Sequence, residues 1–254
     1  IQKQIDQFSN FLNFHEGPNA ALMVNNYDFY KNMNALDFLR DVGKSMTVNY
    51  MLSKESVKKR LETGISFTEF SYQLVQGYDF YSLCKDYSCK LQMGGSDQWG
   101  NIISGIDYIG KKLPNEKAYA ITTPLLTKAD GKKFGKTEEG NIWLDPNLTS
   151  PYQFYQFWLN SDDADLAKLF RYFSFKPKEE ILVLEESFSS DPRNCKQELA
   201  AEMTQRIHSK SAYESVMKVS ELLFNKDCTR DFLQGLSETE FLTVGKEIPG
   251  FEVA

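Results

Sequence analysis

The chain has 254 residues, 41% of them hydrophobic and 25% charged, with a formal net charge of −6 and a pI near 5.2. These values are ordinary for a globular protein of one large or two modest domains, and an acidic chain is not a bulk nucleic-acid coat. No apolar run approaches the roughly 18 residues that suggest a membrane span, and the start Ile1-Gln2-Lys3-Gln4-Ile5-Asp6 has no signal-peptide core. Of the four cysteines, only Cys84 and Cys89 lie close together, without a second pair or a nearby His to complete a zinc site. They read as reduced thiols of a cytoplasmic protein rather than as a disulfide or metal framework.

Residues 1 to about 145 alternate apolar, strand-like runs with glycine turns and helices, and the first such run is 20–24. Ser66-Phe67-Thr68-Glu69 is a capping box, a hydroxyl three residues before a glutamate, and predicts a helix to about Leu83. On that helix Tyr72, Gln76 and Asp79 fall on one face. Spacing alone reads such a polar stripe as the wet side.

Residues 90–93 read as a short buried strand. Gly94-Gly95-Ser96-Asp97-Gln98-Trp99-Gly100-Asn101 follows, and then an apolar-periodic helix over 102–108. A strand, a glycine turn and a helix capped by Ser96 or Asp97 is how an α/β sheet presents ligands at its carboxyl edge. Asp97 is thereby a candidate for a ribose hydroxyl; an ordinary capped turn fits the same residues.

After a further apolar run at 119–126, Lys128, Lys132, Lys133 and Lys136 crowd into ten residues with Gly131 and Gly135. Glycine lets backbone amides approach a phosphate, and Lys brings compact charge on a long stem. The pattern suits a loop that closes on a polyanion. From Thr149-Ser150-Pro151, a capping hydroxyl followed by proline, the sequence turns to helices with aromatic stripes. A boundary near residue 148 divides an α/β part, 1–148, from a helical part, 149–254. Lys54/Lys58/Lys59/Arg60 and Lys111/Lys112 are basic patches that fit solvated helix faces or a local RNA contact.

The stretch from Gly94 to Asn101, followed by Lys133-Phe134-Gly135-Lys136-Thr137, resembles bacterial-type tyrosyl-tRNA synthetase, a class I aminoacyl-tRNA synthetase. The five-residue piece is similar to that class's Lys-Met-Ser-Lys-Ser signature loop. The similarity runs on through Asn25-Asn26-Tyr27-Asp28, Phe38-Leu39-Arg40-Asp41-Val42-Gly43-Lys44, Glu62-Thr63-Gly64-Ile65-Ser66-Phe67-Thr68-Glu69-Phe70-Ser71-Tyr72 and Ser150-Pro151-Tyr152-Gln153-Phe154-Tyr155-Gln156-Phe157-Trp158, nearly the whole chain. The resemblance implies an α/β fold: a partial Rossmann-like parallel sheet with a helical, dimer-forming insertion, followed by a small all-α domain.

The resemblance also implies roles. Tyr72 and Gln76 would hold the ammonium of tyrosine and Asp79 its phenol hydroxyl, with Gln92, Gln98 and Asn26 lining the same pocket. Gly95 and Asp97 would meet the ribose of ATP. Lys128, Lys133, Lys136 and Thr137 would stabilise the phosphates. Mg²⁺ would accompany ATP, held largely by phosphates and water. Neither a tightly bound organic cofactor nor a protein-ligated metal is expected. The implied partners are tyrosine, ATP, tRNA(Tyr) and a second copy of the chain. Leu39, Val42, Met46, Val48, Tyr50, Met51, Leu52, Ile65 and Phe67 would supply apolar surface for that dimer, with Phe67 near its axis.

The family's His-Ile-Gly-His-type ATP-gripping motif is not matched by His15 or His208, the only histidines. The chain is therefore expected to be a middle fragment, inactive by itself. An inactive dimerisation or RNA-docking piece is one competing reading, and a synthetase for tryptophan is another. The Tyr72/Gln76/Asp79 stripe and Asp97-Gln98-Trp99 argue against tryptophan.

Overall fold

The computed structural model describes residues 1–129, 131, 134–137 and 140–247. These fall into two compact units, one of Leu22–Leu126 and one of Ile1–Ala21 with Thr127–Ala254.

In chain order the helices begin with α1 (Gln2–Phe8), which belongs with the later unit. The unit of Leu22–Leu126 holds α2 (Tyr27–Tyr30), α3 (Ala35–Asp41), α4 (Val48–Leu52), α5 (Glu55–Leu61), α6 (Phe67–Tyr87), β1 (Leu91–Gly95), α7 (Trp99–Lys112) and β2 (Tyr119–Thr123). The capping box forms as read: Ser66 Oγ accepts from the Glu69 amide, and the Glu69 carboxylate accepts from the Ser66 amide, each at 3.2 Å. Helix α6 outruns its expected end because nothing breaks it until Ser88, which turns left-handed at φ 57°.

Strands β1 and β2 pair in parallel with Leu91 opposite Tyr119 and Gly95 opposite Thr123. A parallel pair needs a crossover, and α7 supplies it. Helices α6 and α7 approach closely because Gly77 and Gly105 meet there. A Cβ on Gly105 would lie 3.0 Å from the Phe80 side chain, and one on Gly77 would lie 3.0 Å from Met46 Cε. Phe80, Cys84, Ile102 and Ile109 are buried against this crossing.

Three expectations change here. Residues 20–24 form no strand, since an apolar run becomes one only when a neighbouring ladder takes up its backbone groups. The strand at β1 is not buried on both faces: Leu91 and Met93, with Tyr119 and Ile121 opposite them, stay about half exposed or more, because α7 packs against the other side. Val42, Met46 and Met51 belong to the chain's own core with Leu74 and Tyr108, leaving Leu39, Val48 and Phe67 as the exposed apolar residues of that set.

The other unit adds the antiparallel pair β3 (Lys136–Thr137) and β4 (Gly140–Asn141), then α8 (Pro151–Leu159), α9 (Leu166–Phe173), α10 (Lys178–Ser187), α11 (Pro192–Ile207), α12 (Lys210–Phe224), α13 (Arg230–Gln234) and α14 (Glu238–Glu247). Ser150 caps α8 by accepting from the Gln153 amide at 3.1 Å, with Pro151 in the first turn. The core gathers Phe154, Trp158, Leu166, Phe170, Leu199 and Val216. Phe134 and Ile142 pack on it, so the lysine loop belongs with the helices; the unit begins at Thr127, upstream of residue 148. No described helix is long and apolar enough to cross a membrane. All four cysteines are free thiols.

Candidate active site

The polar stripe on α6 is not simply a wet face. Tyr72 is half exposed, but Gln76 and Asp79 are partly buried. Both oxygens of the Asp79 carboxylate are occupied. Oδ1 accepts from the Tyr30 hydroxyl at 2.6 Å, and Oδ2 accepts from Asn26 Nδ2 at 2.9 Å. Burial raises the Asp79 pKa above its ordinary value, against the pull of those two donors. Burial likewise raises the Tyr30 hydroxyl, with Asp79 as the next cause. The phenol therefore stays protonated and able to donate. A carboxylate has about four lone-pair sites, so two remain for a further donor.

The glycine turn differs from expectation in its cap. Neither Ser96 nor Asp97 caps α7. A 3₁₀ turn, Ser96–Gln98, runs straight into the helix, and Gln98 stands at its N-terminus without a side-chain cap. Asp97 instead accepts from Gln98 Nε2 at 2.9 Å. Gly95 is needed for space: a Cβ there would lie 2.6 Å from Asp97 Oδ1. The missing side chain lets an exposed carboxylate fold back over the strand end, beside the partly buried Gln98. On β1, Gln92 Oε1 is buried with no partner among the described residues. A polar atom in that state is costly unless something satisfies it.

The lysine loop is fastened at three places. At its start, the carboxylate of Asp165, only 4% exposed, accepts from the Ala129 amide at 2.9 Å and from Lys168 Nζ at 3.2 Å. Lys168 also donates to the Thr127 carbonyl at 2.7 Å. In the middle, the Phe134 ring sits among Phe157, Trp158 and Phe173, with centroids 5.3 to 5.5 Å apart. At its end, β3 pairs with β4, Lys136 opposite Asn141. Gly131 and Gly135 both take φ near +80°, the left-handed region that favours glycine. Lys128 lines a cavity of about 590 Å³ together with Phe134, Asn141, Gln153, Gln156 and Asp165. Lys133 lies outside the described residues, as do the side chains of Lys136 and Thr137.

The basic patches have local partners. Arg60 pairs with Glu69 at 2.8 Å, Lys54 lies 3.9 Å over the Tyr50 ring, and Lys111 donates to the Ser45 carbonyl at 2.6 Å. Among the described residues, no group of three or more His, Cys, Asp or Glu side chains could hold a metal ion.

A parallel β–α–β unit with a glycine turn at the strand end is how an α/β sheet presents a ligand site. The chain belongs to the family described as tRNA synthetases class I (W and Y), whose family model matches residues 1–225. Within that family its similarity is to the tyrosine branch. It is 54% identical over 250 residues to a tyrosine–tRNA ligase of Cytophaga hutchinsonii, covering 98% of this chain and 58% of that protein. It is 49% identical over 249 residues to tyrosine–tRNA ligase 2 of Enterococcus faecalis, again 58% of that protein. The chain thus spans 58% of the length of these relatives. Among solved structures, it is similar to a C-terminally truncated mitochondrial tyrosyl-tRNA synthetase of Coccidioides posadasii, with a TM-score of 0.69 and 30% identity over 85% of this chain and 64% of that one. The corresponding enzyme of Aspergillus nidulans gives a TM-score of 0.65 and 31% identity, over 82% of this chain and 61% of that one.

Two features of the site escaped sequence reading: Tyr30 on Asp79, and the Asp165–Lys168 clamp on the loop. Their partners lie 49 and 36 residues away in sequence, and no local pattern marks either pairing.

Proposed function

We propose that the chain carries the tyrosine-recognising and phosphate-stabilising parts of a tyrosine–tRNA ligase. The carboxylate of tyrosine attacks the α-phosphorus of ATP, the bond to pyrophosphate breaks, and tyrosyl-adenylate remains. A ribose hydroxyl at the end of tRNA(Tyr) then attacks the acyl carbon, and AMP leaves. No protein nucleophile is required; positioning and charge stabilisation suffice.

The observation that carries this reading is the partly buried Asp79 carboxylate, fixed by two donors and retaining acceptor capacity on the same helix as Tyr72 and Gln76. A phenol hydroxyl would take one of the remaining acceptor sites, whereas phenylalanine would forgo that hydrogen bond to a charged group, worth about 1.5–3 kcal/mol. Tyr72 and Gln76 would take the substrate ammonium, and Asn26, Gln92 and Gln98 would line the same pocket. The orphan Gln92 Oε1 supports that placement. Asp97, brought in over Gly95, would accept from the ribose of ATP. Lys128, Lys133 and Lys136 would meet the phosphates, with Thr137 as a hydrogen-bond donor. Mg²⁺ would travel with the triphosphate, held largely by phosphates and water.

The same reading includes a homodimer built on the exposed Leu36, Leu39, Val48 and Phe67, and a cytoplasmic setting in which tRNA is charged. The test is tyrosine-dependent ATP–pyrophosphate exchange, measured in a protein spanning the full length of its relatives and carrying these residues. Exchange should require tyrosine, ignore tryptophan and fall sharply in Asp79→Asn. Exchange driven by tryptophan, or indifferent to Asp79, would sink the assignment.

A further inference from the structure

Tyr30 belongs to none of the motifs that mark the family, yet it touches the atom on which amino-acid choice would turn. It stands on the four-residue helix α2. Its ring packs against Tyr78 and Phe38, with centroids 5.4 and 6.1 Å away. Its hydroxyl lies 2.8 Å from the Val75 carbonyl and 2.6 Å from Asp79 Oδ1. The single phenolic hydrogen is drawn chiefly to the carboxylate, since the charge-assisted bond is the stronger.

An aspartate left alone turns about its last torsion in a broad, nearly two-fold well. It would offer an incoming donor an ill-defined acceptor. Here one donor holds each oxygen: Tyr30 holds Oδ1, and Asn26 holds Oδ2 at 2.9 Å. Two bonds from opposite ends of a short loop-helix segment fix the plane of the carboxylate. The Tyr30 ring rests chiefly on Tyr78, its nearer neighbour, so its hydroxyl keeps its place when Phe38 is trimmed.

We infer that Tyr30, acting with Asn26, is a positioning residue that orients the Asp79 carboxylate and so sets the preference for tyrosine over phenylalanine. The inference rests on the reading of Asp79 as the phenol acceptor. Its effect appears in binding of the substrate that carries a hydroxyl, not in the chemical step. Asp79 is remote in role from the phosphates, so loosening it weakens ground and transition states alike.

The experiment compares tyrosine and phenylalanine in ATP–pyrophosphate exchange, using a full-length synthetase that carries this chain's residues. Tyr30→Phe keeps the ring and removes the donor. It should raise KM for tyrosine about five- to tenfold, hold kcat within about twofold, and leave kcat/KM for phenylalanine unchanged. Asn26→Ala removes the other donor from an exposed position and should act in the same direction, which keeps the test open if Tyr30→Phe fails to fold. Phe38→Leu loosens the packing of the Tyr30 ring without removing a donor and should keep the tyrosine-to-phenylalanine ratio.

An unchanged ratio in both donor variants overturns the inference, as does an equal loss in Phe38→Leu, which would make the role one of packing. Asp79→Asn separates the two levels. If it leaves the ratio intact, the acceptor reading fails and the inference fails with it. If it collapses the ratio while the Tyr30 and Asn26 variants do not, the inference alone fails.

Discussion

Replacing Asp165 by Ala should unfasten the lysine loop at its start without unfolding the helices around it. The carboxylate is 4% exposed and serves two donors, the Ala129 amide at 2.9 Å and Lys168 Nζ at 3.2 Å. Losing a hydrogen bond to a charged acceptor costs about 1.5–3 kcal/mol. The Lys168 ion pair adds about 0.5 kcal/mol at most, because its ammonium is partly open to water and keeps the Thr127 carbonyl. The expected loss is therefore about 2–3 kcal/mol, felt locally. Amide exchange at Ala129 reads it directly: about 2 kcal/mol corresponds to roughly 30-fold faster exchange. The Leu199 amide, in the buried core of α11, is the internal reference and should barely change. Asp165→Asn can still accept from Ala129 but loses the charge, and should fall between the two. Under the proposed function, adenylate formation in a full-length protein should slow while KM for tyrosine holds. Unchanged Ala129 exchange in Asp165→Ala would refute the clamp, and equal acceleration at Leu199 would make the residue a general structural support.

Other expectations follow from the same features. Under the proposed function, Lys133→Ala or Lys136→Ala in a full-length protein should each slow tyrosyl-adenylate formation by about 3 kcal/mol in barrier, with tyrosine binding kept, because the charges would count as pyrophosphate departs; pre-steady-state rates equal to the parent's would mark them as surface charge. Phe67 is 76% exposed on the first turn of α6, and Phe67→Asp should turn a dimer into a monomer in sedimentation at micromolar concentration; a parent that is already monomeric removes the claim. Burial pushes Glu240 up, but the Ser237 amide and hydroxyl, Ser215 and Lys218 outweigh it and hold its pKa at about 2, below the ordinary 4.5. A depressed folded-state value stabilises above the unfolded pKa, so the contribution should be full near pH 5 and vanish as pH falls through about 2. Acid unfolding of Glu240→Gln should accordingly be flatter across that window, and a parent-like slope would show that the carboxylate is not held.

Local chemistry was legible in the sequence. The Ser66–Glu69 capping box and the Ser150-Pro151 start are signals four residues long or less, and both formed as read. The glycine turn lay at the carboxyl end of a parallel strand because only the strand–turn–helix order was needed to place it. What required the tertiary structure was harder. Residues 20–24 have a strand's composition but no ladder, and composition cannot supply a partner. Leu91 and Met93 looked like core because both faces of a parallel strand are usually covered, whereas the helix packed against β1 covers one. Val42, Met46 and Met51 were indistinguishable by type from Leu39 and Val48, and only the packing of α6 and α7 sorts core from surface.

Asp79, singled out in the sequence, and Asp165, seen only in the structure, share one physical device. Asp79 holds two donors 53 and 49 residues away, and Asp165 holds one 36 residues away together with its near neighbour Lys168; in each case two donors define the plane of the carboxylate. Their tasks under the proposed function differ. Asp79 faces an amino acid whose phenol is bound as tightly before the reaction as during it, so its setting governs KM and the rejection of phenylalanine. Asp165 holds the base of a loop whose lysines matter when charge builds on phosphate, so its setting governs the rate of activation. Substitutions around the first should move KM with kcat nearly constant, and substitutions around the second should do the reverse. A Tyr30→Phe/Asp165→Asn double variant should then show additive losses in kcat/KM, since the two pairs share no partner. Strong non-additivity would mean that recognition and loop placement are one coupled event rather than two.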